Sequence, residues 1–304
     1  MSTSDLKKLI GTDIGSYTVT KYISSGSFGD VFEAKHIKTG EYVALKIPIQ
    51  TDERNGLKLL SEELKIYNHL NVNGGCKGIS KVRMMKWEEP SKKVLVMTLL
   101  GESLEEIINK KKRVQLKTVI LLAIQLLDII KFIHTKGYIH RDIKPDNFVM
   151  GNPLDSETKN LVYCIDFGIA KKYMRGEKHI SFKKDLKFCG TARYASIAAH
   201  LGHEQSRKDD LESIGYMLIY LFNGNLPWMG IKTKDKKERY RLICKRKQET
   251  SEEKLCEKLP KEFLIFLKYV RNLDFDEKPH YTALKKMFMK LYESQEYTDD
   301  ILEF

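Results

Sequence analysis

The chain has 304 residues, enough to bury a large core in one bilobal domain or two compact units. Hydrophobic residues make up 42% and charged residues 31%, an ordinary globular composition, and the formal net charge is +12. The apolar run Val119–Leu127 contains Gln125 and is followed by Asp128 and Lys131, which argues against a helical membrane span there.

The N-terminal residues Met1–Leu9 carry Asp5, Lys7 and Lys8 and lack the apolar core of a secretion signal. Five widely spaced cysteines, an odd number with no C-x-x-C pair, argue against a disulfide scaffold or zinc site and fit a reducing compartment. A cytoplasmic and also nuclear location is therefore expected. His200 and His203 have ligand spacing, but no cysteine or carboxylate cluster completes a site. Basic residues crowd into Lys110–Arg113, Lys232–Arg241 and Lys245–Lys247, whereas the last twelve residues are acidic. No zinc-finger spacing, basic zipper or aromatic RNA-binding signature accompanies the lysines, so an acidic or phosphorylated protein partner accounts for the excess better than nucleic acid.

Along the chain, Tyr17–Ile23, Val31–His36 and Tyr42–Ile47 are β-branched or aromatic runs separated by a Gly/Ser turn and by Thr39-Gly40, the pattern of strands. A helix follows over about Leu57–Leu70, with Leu60, Leu64 and Tyr67 at helical spacing. Two more strands, Ile79–Trp87 and Lys93–Thr98, flank a turn at Glu89-Pro90-Ser91. After Gly101 the period changes: Thr118–His134 places Leu122, Leu126, Ile129, Ile130 and Ile133 on one stripe. Further helices are expected at Lys208–Phe222, Lys234–Lys245, Glu262–Arg271 and Tyr281–Tyr292. The expected class is α+β, a strand-rich lobe followed by a helical lobe, joined near Leu99–Gly101.

Four segments carry chemistry. Ser24-Ser25-Gly26-Ser27-Phe28-Gly29-Asp30-Val31 lies between two strands, where Gly26 and Gly29 let backbone N–H groups approach a polyanion. Lys46, inside a strand in Val43-Ala44-Leu45-Lys46, calls for a phosphate and a carboxylate as partners, because an unpaired cation there is costly. The carboxylate would come from the next helix, where Glu62 and Glu63 are adjacent and residue physics does not choose between them. His140-Arg141-Asp142 with Asn147 five residues on supplies a base for a hydroxyl, Asp142, a metal ligand, Asn147, and a cation for a transferring phosphoryl group, Lys144. Asp166-Phe167-Gly168 ends an apolar run and offers a second metal carboxylate.

These motifs, in this order, resemble the eukaryotic protein kinases over roughly residues 15–292. The strings Lys144-Pro-Asp-Asn-Phe148, Asp166-Phe-Gly-Ile-Ala-Lys171-Lys172-Tyr173, Gly190-Thr-Ala-Arg193-Tyr-Ala-Ser196, Gln205–Ser213 and Leu226-Pro-Trp228 are similar to the casein kinase 1 family in particular. The resemblance implies a bilobal protein kinase fold with an N-terminal antiparallel β-lobe bearing one main helix and a mainly α C-terminal lobe. Its parts would be an extension at 1–14, an N-lobe at 15–98, a hinge at 99–103, a C-lobe at 104–292 and an acidic segment at 293–304. It implies ATP and Mg2+, with Mn2+ as an alternative, and Asn147 and Asp166 as metal ligands. It also implies Glu63 as the partner of Lys46, Met97 as gatekeeper, Leu100 at the adenine, and Ile23, Val31, Ala44, Val149 and Ile165 around the purine.

The implied activity is phosphoryl transfer to serine or threonine of acidic or phosphate-primed proteins by a monomer, with no specific nucleic acid and no membrane partner. Arg193 and Lys232, with Gly224 and Asn225, would take the substrate phosphate, and Lys171 would extend a basic channel. Ser181 and Thr191 are the hydroxyls available for regulatory phosphorylation. Departures from the pattern are Ser24 at the first loop glycine, Ala198 in the Ser196-Ile197-Ala198 string and Leu186 beside Lys187, whereas the lack of an A-P-E is similar to casein kinase 1 members. The long regulatory tail of some relatives is expected to be absent or removed. Alternatives are a nucleotide-binding pseudokinase scaffold, a related vaccinia-related or tau-tubulin-type kinase, and a basic nucleic-acid-binding module.

Overall fold

The computed structural model describes residues 9–25, 29–48, 53–87 and 93–304, with backbone only for 53–57. The residues cluster into two compact units. One holds the described residues up to Gly101 together with Gly151–Lys159 and Tyr163–Gly168; the other holds Glu102–Met150, Asn160–Val162 and Ile169–Phe304.

The first unit is an antiparallel sheet with one long helix. Its strands are β1 (Asp13–Ile14), β2 (Tyr17–Ser25), β3 (Gly29–His36), β4 (Tyr42–Pro48), β5 (Val82–Lys86) and β6 (Lys93–Thr98), in spatial order β1-β2-β3-β4-β6-β5. Alternation along β2 and β3 sends Tyr17, Val19, Phe32 and Ala34 into a core with Ile14, Val43, Leu45, Val94 and Val96. Helix α1 (Glu53–Asn71) buries Leu60, Glu63, Ile66, Tyr67 and Leu70, a stripe at helical spacing. The fifth strand is shorter than the 79–87 run suggests, because Ile79 leaves the sheet to bridge Cys164 in parallel. The expected turn at 89–91 lies outside the described residues.

The second unit is mostly helical. Helices α2 (Leu104–Lys111) and α3 (Leu116–Thr135) are followed by short strands β7 (Tyr138–Ile139), β8 (Phe148–Met150), β9 (Val162–Cys164) and β10 (Lys171–Lys172); β9 runs on into the first unit. Then come β11 (Met174–Arg175), β12 (Lys178–His179), α4 (Ile197–His200), α5 (Arg207–Asn223), α6 (Lys236–Glu249), α7 (Glu252–Cys256), α8 (Lys261–Asn272) and α9 (Tyr281–Ser294). Helix α2 starts on a reciprocal cap, in which the Ser103 hydroxyl accepts from the Glu106 N–H while the Glu106 carboxylate accepts from the Ser103 N–H.

Helix α5 is buried at every position from Leu211 to Leu221, so it has no solvent face, and α3 and α8 pack on it. Its end is set by Gly224 at φ +76°, where a Cβ would come within 2.6 Å of the Lys112 carbonyl oxygen. The acidic C-terminal residues are exposed but tied back to α3: Lys117 bonds Asp299 at 2.8 Å and Glu303 at 3.1 Å, and Leu302 is buried. Among the described residues no helix is long and apolar enough to cross a membrane.

Candidate active site

In the first unit, Lys46 lies in the middle of β4, between β3 and β6, with Val31 and Leu95 as its cross-strand partners. Side chains buried this deep need counter-charges. Lys46 Nζ donates to both oxygens of Glu63, at 3.0 and 2.8 Å, and to Asp166 Oδ1 at 3.2 Å. Burial alone would lower the lysine's pKa, but the two carboxylates outweigh it and hold the group above its ordinary value. Burial likewise raises the pKa of Glu63, opposed by the charge of Lys46. Glu62, one residue away on α1, points elsewhere: it is exposed and bonds Lys65 at 2.7 Å. A helix turns adjacent side chains about 100° apart, so only one of the two glutamates can reach the sheet.

Asp166 has φ +63°, a conformation that costs an aspartate free energy unless its surroundings fix it. Its N–H donates to the Tyr67 hydroxyl at 3.2 Å, and its Oδ1 accepts from Gly168 N–H at 3.4 Å. The Phe167 ring meets Tyr67 edge to face at 4.9 Å between centroids. Tyr67, missed as a functional residue by sequence reading, thus ties Asp166 to the helix that carries Glu63. Its signal was its place on the buried stripe of α1.

In the second unit, Asp142 receives three side chains. Thr191 Oγ1 donates to its Oδ1 at 2.7 Å, and Lys144 Nζ lies 2.8 Å and Asn147 Nδ2 3.3 Å from its Oδ2. Asn147 Nδ2 also donates to the Asp142 carbonyl oxygen at 2.9 Å, which closes the loop on itself. The amide oxygen of Asn147 is a hard oxygen donor, the type that a small divalent cation takes.

The loop's entry is held from α5. Asp210, fully buried, accepts from His140 N–H through Oδ2 and from Arg141 N–H through Oδ1, both at 2.8 Å. His134 Nε2 lies 2.8 Å from the same Oδ2 and its Nδ1 2.6 Å from the Tyr281 hydroxyl. Burial would raise the Asp210 pKa, but hydrogen bonds and the neighbouring histidines outweigh it, so the carboxylate stays ionised. These contacts fix Arg141 at φ +68°, with its Nε on the Ile169 carbonyl at 2.7 Å. Neither Asp210 nor Thr191 was assigned this work from sequence. Asp210 reads as one acid in a charged string, and Thr191 was named only as a phosphorylation candidate.

The remaining predicted residues fall as follows. Gly26 lies outside the described residues. Gly29 pairs with Pro48, and a Cβ there would come within 2.6 Å of the Ile47 carbonyl oxygen, so sheet packing demands a glycine whatever binds nearby. Ala44 and Met97 are direct cross-strand partners and buried; Val31 is half-buried and Ile23 exposed. Leu100 and Ile165 are half-buried, and Val149 is buried in β8 with a bridge to Ser103.

Of the basic residues, Arg193 is half-buried beside the Tyr194 and Tyr220 rings, 3.3 Å from the Tyr194 hydroxyl and 3.7 Å from Glu105. Lys232 is exposed, Asn225 is exposed, and Gly224 is the left-handed cap of α5. Lys171 bonds the buried Glu204 at 2.7 Å, so its charge is already matched within the chain. Lys247 is not part of a basic surface run at all: it is completely buried.

The first unit thus holds a lysine–glutamate–aspartate cluster, and the second holds a carboxylate, Asp142, with a lysine and an amide on it. The sequence matches the protein kinase domain over residues 17–289, which carries with it general use of ATP and a divalent metal. The antiparallel sheet with its one helix, followed by the helical part, is the protein kinase fold, and the chain belongs to the protein kinase family.

Proposed function

We propose that the chain is an active serine/threonine kinase of casein kinase 1 type, with acidic or phosphate-primed proteins as substrates. The observation that carries the serine/threonine reading is Lys144 Nζ at 2.8 Å from Asp142 Oδ2. A cation there offsets charge on the phosphoryl group as a hydroxyl attacks, while Asp142 orients that hydroxyl and takes its proton. Thr191, bonded to the other oxygen of Asp142, holds the carboxylate in one orientation.

Magnesium bound by Asp166 and Asn147 would neutralise the phosphates. Their hard oxygen donors suit this ion. Lys46 would hold the nucleotide phosphates from its pair with Glu63. The domain boundaries at 15, 98, 103 and 292 belong to the same reading, as do the purine-contacting roles of Ile23, Val31, Ala44, Met97, Leu100, Val149 and Ile165, and the phosphate-loop roles of Gly26 and Gly29.

The scaffold alternative needs a vacant role, and Lys46, Glu63, Asp142, Asn147 and Asp166 are all filled. Substrate choice would come from Arg193, Lys232, Gly224 and Asn225 as an anion site. Arg193 supports this through its weak hold on Glu105, 3.7 Å away at a half-exposed position, which a phosphate could displace.

The test offers the chain, with magnesium and ATP, two matched serine peptides, one with phosphoserine three residues before the acceptor. Transfer is expected to both, faster to the primed one, and to fall about 100-fold or more in Asp142→Asn. Absence of transfer to either peptide and to casein would reject catalysis; equal rates would reject the anion site alone.

A further inference from the structure

Helix α6 and the segment before it build a surface feature that the transfer reaction does not use. Phe188, which follows β12, packs in tilted contact with His200 of α4 at 4.8 Å and with Tyr240 of α6 at 4.7 Å between centroids. With Leu201, which is 47% exposed, these rings floor a groove of about 530 Å3. A cavity of that size accepts a large side chain together with its flanking backbone.

Charge in the groove is one-sided. Burial, aided by Lys247, pushes the His200 pKa down to about 4, so its ring is neutral at physiological pH. Its Nε2, 3.0 Å from the Ala192 carbonyl oxygen, then carries the proton as a donor. The rim consists of Lys237, Arg241 and Lys245, and no lining residue is acidic. Arg241 reaches back to Glu238 at 2.8 Å and Lys245 to Glu249 at 3.7 Å, exposed same-helix pairs that exchange readily for another carboxylate. Among the described residues Lys237 has no carboxylate within 4 Å.

We propose that this groove docks an acidic protein segment in which a large apolar side chain, aromatic foremost, is flanked by carboxylates. The two halves of the surface select the two halves of the ligand. A free phosphate would use the rim and leave the rings in water; an apolar peptide would use the rings and gain nothing from the cations. Nucleic acid fits less well, since the groove offers only three cations beside a compact ring floor, too few to follow a phosphate backbone. A docked segment sits next to the stretch that carries Thr191 and Arg193, because His200 and Lys247 both bond the Ala192 carbonyl. It therefore raises the local concentration of whatever protein carries it, and the proposal does not depend on which hydroxyl is phosphorylated.

The test is fluorescence anisotropy of the full chain with a labelled twelve-residue peptide of glutamate and aspartate around one phenylalanine. Binding is expected to weaken about tenfold or more when that phenylalanine becomes alanine, and likewise in Tyr240→Ala and in Lys237→Glu/Arg241→Glu. Lys258→Glu, a charge reversal elsewhere, is expected to leave binding unchanged. The double charge reversal lies on the exposed helix face, so it reports even if Tyr240→Ala unfolds. In kinase assays the double variant should keep wild-type rates on a short peptide but lose the lower KM of a substrate fused to the docking segment. No saturable binding, equal binding of the alanine peptide, equal binding by the double variant, or tighter competition by a single-stranded oligonucleotide would each overturn the proposal. So would self-association that the double variant abolishes, which would make a second copy the occupant.

Discussion

Lys247 offers a test of how the second unit holds the segment that meets Asp142. The side chain is completely buried on α6, its Nζ donates to the Ala192 carbonyl oxygen at 3.0 Å and to that of Ala195, and it lies 4.8 Å from the Tyr216 ring centroid and 5.0 Å from that of Trp228. No carboxylate of the described residues is within 4 Å, and Glu212 acts only from farther off. Burial lowers the lysine's pKa to about 7, against 10.5 in an unfolded chain. A neutral amine still has two N–H groups for the two carbonyls, so the geometry survives loss of the proton.

Between about pH 7 and 10.5 the unfolded chain thus holds a proton that the folded chain lacks, and stability rises with pH through that window; below about pH 7 both hold it and the burial cost is paid in full. Lys247→Met removes this dependence while keeping the apolar stem. Integrating the proton difference from pH 7 to pH 8.5, the stability of wild type minus variant should grow by about 1.6 kcal/mol. His200 is neutral throughout that range, and Cys244, raised by burial, titrates above it, so neither confuses the difference. Urea melts of both proteins at the two pH values measure it. A difference constant to within about 0.5 kcal/mol would mean that the carbonyls and rings keep Lys247 charged, and would refute the burial argument.

Two further substitutions probe the Lys46–Glu63 pair and the surroundings of Asp142. Glu63→Gln leaves Lys46 buried with only Asp166 at 3.2 Å, and urea melts are expected to show a loss of about 3 kcal/mol, the low end for breaking a buried pair, with weakened nucleotide binding; a loss under about 1 kcal/mol would contradict the pairing. Gly190→Ala places a Cβ 2.6 Å from the Arg141 carbonyl oxygen at φ +106°, so kcat should drop about tenfold or more while circular dichroism stays native; wild-type kcat would show that the segment beside Asp142 tolerates displacement.

Much of this protein was legible before any coordinates. β-branched and aromatic runs in the first hundred residues became β2, β3 and β4, the 93–98 run became β6, and the apolar stripe at 118–134 became α3, since these patterns are local. Short helices such as Ile197–His200 and Glu252–Cys256 were not legible, because four or five residues contain no full period to read. The motifs named the chemistry of Asp142, Asn147 and Asp166 through residue type and spacing.

Tertiary structure alone decided what those residues lean on. Two adjacent glutamates in one sequence are equivalent to a propensity argument; only the facing of α1 against the sheet gives Lys46 to Glu63 and sends Glu62 to Lys65. A lysine in the run Lys245–Lys247 reads as surface charge, yet the pitch of α6 buries Lys247 under Tyr216 and Trp228. Thr191 reaches Asp142 across 49 residues, and Asp210 reaches His140 across 70. Local sequence determines which groups a chain owns and which elements carry them; contacts over such separations depend on how the elements pack, a property of the whole chain that no window of it contains.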